Sequence, residues 1–430
     1  MGTHIGREDQ MKLQAVSHTT PLRVARRSRS RGVGVGVGAT ITLLLAVAGC
    51  GNSPSSAAEA SPASPRTLLP SSTIASTTTI AAKSMTLQGP VPDSAIDGPT
   101  AARLQAVLDE LVAGGEPDAI AAILTPNGTW KGAAGVDGPD GRKATADDEF
   151  AIASISKAFT AAMIMRLVEQ GKIDLNQPLA TYLEATDADD NGATVEQTLA
   201  MRGGFGDTAE SVFDEVYAEP SRVWTIADVV SKIGPPLTPA GTEYHYSNPG
   251  YKLIGIAAEH VTGKSLASAM GETVLDPVDA SRIIMQDADH LTPQPWAIPL
   301  EGFEGPLALA AYGQGGVLPC LSDATFSRNA AGMASDASGL ARWGWRLFSG
   351  KIVQPQSLAT MMTFDADGYG LGVDRIPDLG PTAYGFSGHK PGYASLLAAL
   401  PDSNTVVVVF INSQDADVYA AAEKLLKALQ

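Results

Sequence analysis

The stretch Phe150-Ala-Ile-Ala-Ser154-Ile-Ser-Lys157 runs directly into the apolar segment 158–168. Apolar residues recur about every four positions in that segment, which predicts a helix. A serine and a lysine three residues apart at the start of a helix lie on one face, one turn apart. This spacing puts an amine beside a hydroxyl, which is the arrangement that an activated serine nucleophile needs.

The start of a helix also suits the chemistry of such a serine. Its unbonded N–H groups and the helix dipole favour negative charge, so the Ser154 amide is placed to stabilise an oxyanion. Lys157 can accept the serine proton only if its amine is neutral, which requires desolvation or a nearby cation. The alternative is an N-cap serine followed by a surface lysine. The motif alone does not decide, because the chain has a second copy at Ser387-Gly-His-Lys390.

A second candidate segment is Tyr244-His-Tyr246-Ser-Asn248-Pro-Gly-Tyr251. A phenol near a lysine can relay protons, and a side-chain amide can hold both the lysine and a substrate carbonyl. Taken alone, the segment fits better with a loop that contains a packed tyrosine and a turn-forming Asn-Pro pair. Its functional interpretation therefore depends on the Ser154 segment.

Considered together, these segments resemble the serine β-lactamase-like family, which includes class C β-lactamases, D-alanyl-D-alanine carboxypeptidases, D-aminopeptidases and related esterases. The likeness runs from about residue 100 to 425. It rests on Phe150-Ala-Ile-Ala-Ser-Ile-Ser-Lys-Ala-Phe-Thr160, Gln170-Gly-Lys-Ile-Asp-Leu-Asn-Gln-Pro178, Tyr246-Ser-Asn248-Pro-Gly-Tyr251, Val261-Thr-Gly-Lys-Ser265 and the helix 331–342. The resemblance implies an acyl-enzyme on Ser154, Lys157 and Tyr246 as the proton-transfer pair, and Asn248 as a group that positions the substrate.

The third motif of that family, His or Lys, then any residue, then Gly, is altered here. The register set by Pro391-Gly-Tyr393 gives Phe386-Ser387-Gly388, with phenylalanine in the basic position. A register shifted to Lys390-Pro-Gly392 would put proline in a strand beside the cleft, where it fits poorly. In the preferred register, the resemblance implies that the His389 amide is the second oxyanion donor and that Ser387 contacts a substrate carboxylate or carbonyl.

Loss of the basic residue weakens the case for substrates that end in a free carboxylate, which include D-Ala-D-Ala stems and β-lactams. A second departure is Met201-Arg-Gly-Gly-Phe205, where the family usually has a run similar to His-Thr-Ser-Gly. The sequence does not indicate what this second change does.

The order of strand and helix patterns predicts an α+β fold of the β-lactamase/DD-peptidase type. Strand-like runs at 119–124 and 129–134 flank Pro126-Asn-Gly128, and further strand-like runs lie at 394–400 and 405–410. Helical patterns fill most of the chain between them. We therefore expect one domain, residues 98–430, with a mostly antiparallel sheet formed by both ends of the domain, flanking helices and a helical insertion.

The first 97 residues have a different composition. Five arginines between Arg23 and Arg31 precede the apolar segment 32–49, which predicts an export signal over residues 1–49. Val47-Ala-Gly-Cys50 resembles a bacterial lipobox and implies diacylation of Cys50, which gives stable membrane anchoring. The alternative is an uncleaved membrane helix. Residues 50–97 are rich in Ser, Ala, Pro and Thr and predict a disordered tether.

Charge and composition exclude some classes of function. The net charge is −16, and removal of residues 1–49 leaves −21, which argues against nucleic acid as a partner and against recruitment by anionic lipid. After acylation of Cys50 only Cys320 remains, and a buried thiol is expected there. The histidines His245, His260, His290 and His389 have no metal-ligand spacing. We therefore expect no metal and no cofactor.

The leading hypothesis is a lipid-anchored serine hydrolase on the outer face of the cell membrane that acts on a small-molecule or peptide substrate. An esterase or a peptidase acting on cell-wall material fits better than an efficient β-lactamase, because of Phe386. The alternative is a non-catalytic binding module that keeps a penicillin-like pocket. A ligand-binding lipoprotein of another fold would also have the signal, the tether and the acidity.

Overall fold

The structure of the chain, a computed structural model, describes residues 85–137, 141–184, 189–275, 282–287 and 320–430. The predicted export signal, Cys50, most of the predicted tether and His290 lie outside the described residues. Within those ranges, no helix is both long enough and apolar enough to span a bilayer.

A seven-stranded antiparallel sheet organises the domain, in the order β3-β2-β1-β10-β9-β8-β7. Its strands are β1 (Asp118–Thr125), β2 (Gly128–Asp137), β3 (Arg142–Lys143), β7 (Asp374–Arg375), β8 (Tyr384–Lys390), β9 (Tyr393–Leu400) and β10 (Thr405–Ile411). The strands from the start of the domain meet those from its end where β1 pairs with β10. The predicted fold class, a sheet formed by both ends of the domain, is therefore confirmed.

The central position of β10 follows from its sequence. Thr405-Val-Val-Val-Val-Phe-Ile411 is β-branched or aromatic throughout, and every residue in it is buried. Such a run fits a strand that is covered on both faces. On one face Val406 and Val408 join the large core below the sheet, and on the other Val407 and Val409 pack against the outer helices.

Helices cover both faces of the sheet. The outer face carries α1 (Gly98–Ala113) and α11 (Val418–Ala428), the first and last helices of the domain. The other described helices are α2 (Ser156–Glu169), α3 (Val195–Leu199), α4 (Glu210–Ala218), α5 (Ile226–Ser231), α6 (Asn248–Thr262), α7 (Leu266–Val274), α8 (Leu321–Ala331), α9 (Ala337–Phe348) and α10 (Pro355–Met361). A small sheet in the order β4-β6-β5 consists of β4 (Phe150–Ala151), β5 (Ile284–Met285) and β6 (Met333–Ser335).

The domain begins earlier than the sequence predicted. Residues 85–97, which the sequence analysis assigned to the tether, lie against the domain. The Leu87 amide donates to Phe348 O at 3.0 Å, Ala95 forms a bridge with Thr129, and Leu87 is only 2% exposed. The residues that make these contacts are isolated in a polar, proline-rich stretch. The sequence therefore has no periodic pattern that would indicate the contacts.

Candidate active site

Ser154 lies on a short turn that leads into α2. After β4, residues Ala153–Ile155 form one 3-10 turn, and the α-helix begins at Ser156. Ala153 has a positive φ of 45°, which is costly for a residue with a Cβ. The Ser156 hydroxyl closes the turn by donating to Ala153 O at 2.6 Å. The nucleophile candidate therefore stands just ahead of the helix N-terminus, as the sequence predicted.

Lys157 is fully buried beside Ser154. Its Nζ donates to Ser154 Oγ at 3.1 Å, to Asn248 Oδ1 at 2.7 Å and to Ala330 O at 2.8 Å. None of these three acceptors carries a formal charge. Burial lowers the pKa of Lys157 to about 7, helped by the positive charges of Lys252 and Lys390 and opposed by Asp207. The surface lysine of the alternative interpretation is thus excluded, and the desolvation that a lysine base requires is present.

Tyr246 provides the third group at the nucleophile. Its hydroxyl lies 2.6 Å from Ser154 Oγ, and its ring lies 4.7 Å from Lys157 Nζ. Burial raises the pKa of Tyr246 well above its usual value, so the phenol keeps its proton. The structure therefore favours Lys157 as the proton acceptor, with Tyr246 as a neutral hydroxyl that can pass a proton on.

Asn248 connects Lys157 to a carboxylate that the sequence analysis did not single out. Its Oδ1 accepts from Lys157, while its Nδ2 donates to Asp207 Oδ1 at 3.1 Å. Because the amide nitrogen is drawn to the carboxylate, its oxygen is turned toward the lysine. Ser247 holds the two segments together, since its hydroxyl donates to Gly206 O at 3.1 Å. Asp207 could have been noticed because it follows the altered run 201–205.

That altered run supports the second motif. Met201 has a φ of 58°; its carbonyl accepts from the His245 amide at 2.8 Å, and its sulfur lies 3.3 Å from the Ser247 amide. Arg202 next to it forms ion pairs with Asp365 and Asp367. The run therefore holds the loop that carries Tyr246 and Asn248.

Gly388 brings strand β8 against the nucleophile turn. A Cβ at this position would overlap Ile152 O and would lie 2.7 Å from Ser395 Oγ and 2.9 Å from the Ser154 amide nitrogen. Ser395 Oγ also donates to Ile152 O at 3.0 Å, which joins β9 to the same turn. Beyond Gly385, β8 has no outer strand partner in the described part of the sheet. Only glycine allows this approach, which puts Gly388 beside Ser154, and its contact with substrate stays a prediction.

Ser387 and His389 have side chains on the other face of β8. The register pairs Ser387 with Leu396 and His389 with Ala394, and both of these partners belong to the outer core. Ser387 is 5% exposed, and its hydroxyl accepts from Tyr419 of α11 at 2.9 Å. The Ser387 side chain therefore does not face the Ser154 turn, and its contact with substrate stays a prediction. The oxyanion role of the His389 amide also stays a prediction.

The phenylalanine at the family's basic position is a core residue. Phe386 is 3% exposed and meets Tyr369 edge-on, with 5.9 Å between ring centroids. The half-buried His389 does not replace the missing cation, because burial lowers its pKa. In the described chain, Lys390 is the only cationic residue of β8 on the same face as Phe386 and Gly388.

Lys390 reaches the back of the site from the end of β8. Its Nζ pairs with Asp323 at 2.6 Å and donates to Ala331 O at 3.1 Å. Ala331 follows Ala330, whose carbonyl holds Lys157, so two lysines end on consecutive backbone carbonyls. The turn that presents these carbonyls is kinked at Arg328, which has φ 47° and ψ −144°. Lys390, which the shifted register would make the basic residue of the third motif, therefore lies behind the site and not in the cleft.

Comparison with known proteins bears on the domain as a whole. The family model described as Beta-lactamase matches residues 104–430, which is more than half of the chain. This chain belongs to the Beta-lactamase family. Its class of enzyme, a serine hydrolase related to β-lactamases, and its fold class follow from that membership. The predicted recognition of the family is confirmed.

Individual relatives of this Beta-lactamase family member are distant. Protein flp of Staphylococcus aureus (strain NCTC 8325 / PS 47) is 26% identical over 153 residues, 34% of this chain and 30% of that protein. The chain thus matches less than a third of the length of the first curated relatives. The D-stereospecific amidohydrolase of a Streptomyces species has a TM-score of 0.62 at 24% identity, covering 76% of this chain and 98% of that one.

A second structural neighbour is the D-amino acid amidase of Ochrobactrum anthropi SV3, solved with D-phenylalanine. It has a TM-score of 0.63 at 20% identity and covers 77% of this chain and 99% of that one. At this identity the likeness concerns the fold alone.

Proposed function

We propose that the chain hydrolyses ester or amide bonds through an acyl-enzyme on Ser154. The observation that carries this proposal is the position of the Lys157 amine, buried among uncharged acceptors 3.1 Å from Ser154 Oγ. A lysine in such surroundings can lose its proton near neutral pH and can then accept one. A module that only binds ligands has no need for this arrangement.

Acylation would begin with proton transfer from Ser154 Oγ to the neutral Lys157 amine. The oxygen then attacks the substrate carbonyl carbon, and the carbonyl oxygen becomes an oxyanion between the amides of Ser154 and His389. When the intermediate collapses, the leaving group departs with a proton passed from Lys157 through the Tyr246 hydroxyl, which lies 2.6 Å from Ser154 Oγ. Water repeats the sequence on the acyl-enzyme and restores Ser154.

The substrates proposed here are small amides, esters or peptides, including cell-wall peptides. The names of the two structural neighbours, an amidohydrolase and an amidase, support an amide substrate. Phe386 in the place of a basic residue argues against efficient action on β-lactams and other substrates recognised by a carboxylate, because the cleft side of β8 offers no cation there.

Labelling tests the proposal directly. The full chain is treated with a fluorophosphonate probe and with a fluorescent penicillin, and the modified residue is found by mass spectrometry. We expect fluorophosphonate labelling at Ser154 that is absent from Ser154→Ala, together with turnover of a p-nitrophenyl ester. A folded sample that is not labelled at Ser154 and turns over no ester or amide would contradict the proposal that the chain is a serine hydrolase. A labelled sample without turnover would instead support the penicillin-binding alternative.

We also propose that Cys50 anchors the mature protein to the outer face of the cell membrane. Support comes from the lipobox-like residues 47–50 and from the basic and apolar segments that precede them. Fractionation tests this: wild-type protein is expected in the membrane pellet, and Cys50→Ala is expected in the soluble fraction. Unchanged partition of the variant would contradict the anchor.

A further inference from the structure

The charged groups described around Ser154 are Asp207, the ion pair of Lys390 with Asp323, and two buried lysines, Lys157 and Lys252. Behind Ser154, Lys390 is neutralised by Asp323. Lys157 and Lys252 can lose their charges, because burial lowers the pKa of each to about 7. Asp207 remains, on the far side of Asn248 from Lys157. A site with this balance favours a cationic ligand over an anionic one.

Asp207 is accessible and has capacity for another hydrogen bond. The residue is exposed. Its Oδ1 accepts from the Thr208 amide at 2.8 Å, from Asn248 Nδ2 at 3.1 Å and from the Asn248 amide at 3.3 Å. Its Oδ2 has one long contact, 3.3 Å from Asn248 Nδ2. The described ion pairs do not include Asp207. An ionised carboxylate has about four acceptor positions, so a charged donor can still bind to Oδ2.

Asp207 is connected to the reacting groups by hydrogen bonds. Three hydrogen bonds lead from Ser154 Oγ through Lys157 and Asn248 to its carboxylate. Its charge acts on Lys157, Tyr246 and Lys252. For a substrate that contacts Asn248, Asp207 is therefore the next polar group along this chain of hydrogen bonds.

We propose that Asp207 binds a protonated amine of the substrate, so that the site prefers esters and amides with a free amine beside the scissile carbonyl. Amino acid amides, amino acid esters and peptides cleaved next to a free N-terminus belong to this class. The proposal rests on the hydrolase activity proposed above. It assigns to Asp207 the selection of substrate, while Ser154, Lys157 and Tyr246 carry out the reaction.

The test compares three substrates that differ only at the amine: alanine p-nitroanilide, its N-acetyl form and its N-succinyl form, each as both enantiomers. With the full chain we expect kcat/KM for the free amine to exceed that for the N-acetyl form by about 10- to 100-fold, as for one charge-assisted hydrogen bond. The N-succinyl form, which adds a carboxylate, should be the poorest.

Asp207→Asn keeps the size of the side chain and removes its charge. We expect the free-amine preference, the ratio of kcat/KM for the free-amine and N-acetyl substrates, to fall to within about threefold, because only the free-amine substrate loses a charged partner. Assays are run below about pH 7.5, where the substrate amine is protonated. The rate on the N-acetyl form at the same pH corrects for the lower pKa of Lys157 that removal of Asp207 causes. The control is Asp402→Asn, which removes the same charge from the exposed turn at the other end of β9 and should preserve the preference.

Two results would overturn the assignment. In the first, wild-type chain turns over the N-acetyl substrate as fast as the free amine. In the second, Asp207→Asn lowers both rates equally, which would show that Asp207 acts only by orienting Asn248. In either case fluorophosphonate labelling of Ser154 would persist, so the failure is distinguishable from failure of the hydrolase proposal.

Binding supplies a readout that does not depend on turnover. Calorimetry with Ser154→Ala measures the affinity for alaninamide and for N-acetylalaninamide. We expect alaninamide to bind about tenfold more tightly or better, and we expect this difference to vanish in Ser154→Ala/Asp207→Asn. Equal affinities in Ser154→Ala would contradict the proposal even if no substrate of the panel were hydrolysed.

Discussion

Lys157 and Lys390 form an instructive pair. Both are buried, and both donate to adjacent backbone carbonyls, Ala330 O and Ala331 O. Lys390 also has the carboxylate of Asp323 at 2.6 Å, whereas the other acceptors of Lys157 are a hydroxyl and an amide. A carboxylate stabilises the charged form of a buried lysine, and neutral acceptors do so much less. The same residue type is therefore structural in one place and able to act as a base in the other.

The largest expected effect comes from Lys157→Met. Loss of the base should lower kcat/KM by about 10³-fold, within the range for general bases. The free energy of unfolding should not fall, because no buried carboxylate loses its partner. Ester turnover and urea denaturation measure the two quantities, with the exposed Lys264→Met as the control. A variant that unfolds much more readily would show that Lys157 is structural like Lys390.

Lys390→Met should show the opposite behaviour. It leaves Asp323, which is 1% exposed, without its cation, and the free energy of unfolding should fall by about 3–5 kcal/mol. The folded fraction should still be labelled at Ser154. The double variant Lys390→Met/Asp323→Leu removes both charges and should recover much of the loss. If the single variant unfolds at the wild-type urea concentration, the ion pair has no structural role.

Asn248→Asp would make Lys157 resemble Lys390. A carboxylate in contact with the amine should raise the pKa of Lys157 by about 1–3 units. In the wild type, activity should rise with pH through about 7, because the active amine is the deprotonated one. The variant should have this rise at higher pH and should lose tenfold or more at pH 7, with recovery in alkali. A pH–rate profile that does not move would contradict Lys157 as the base.

Lys252→Met provides the smallest and most specific change. Lys252 lies over the Phe326 ring, and its positive charge lowers the pKa of Lys157. Its removal should therefore shift the acid limb of the pH–rate profile to higher pH, by less than about one unit. A shift to lower pH would show that the sign of this interaction is wrong. The plateau rate should be unchanged, since Lys252 does not contact Ser154.

The sequence predicted the parts of the fold and site that leave a periodic or motif signal. Such features include the β1–β2 hairpin, the buried run of β10, and the Ser154 turn followed by α2. They also include Tyr246 and Asn248, which lie beside Lys157. The signals of the hairpin, the strand and the turn are local, because each depends on residues within about ten positions of one another. Tyr246 and Asn248 were recognised only together with the Ser154 segment, through the family resemblance.

The remaining features depend on contacts between distant segments. Asp207 acquires its place through Ser247 and Gly206, and Lys390 through Asp323, with no spacing rule to connect them. The side-chain direction of Ser387 follows from the alternation of β8, which a three-residue motif does not reveal. The start of the ordered domain before residue 98 depends on isolated contacts such as that of Leu87.

The kinked turn at the end of α8 has a consequence for how this site can change. Thr160 Oγ1, Lys157 Nζ and Lys390 Nζ donate to three successive carbonyls, those of Asn329, Ala330 and Ala331. A backbone acceptor is encoded by no particular side chain, so a point substitution at Ala330 or Ala331 does not delete it. Only an insertion, a deletion or a change in the turn itself can do so. The hydrogen bond that holds Lys157 is therefore expected to survive most substitutions in residues 329–331, although no side chain of this segment takes part in the chemistry.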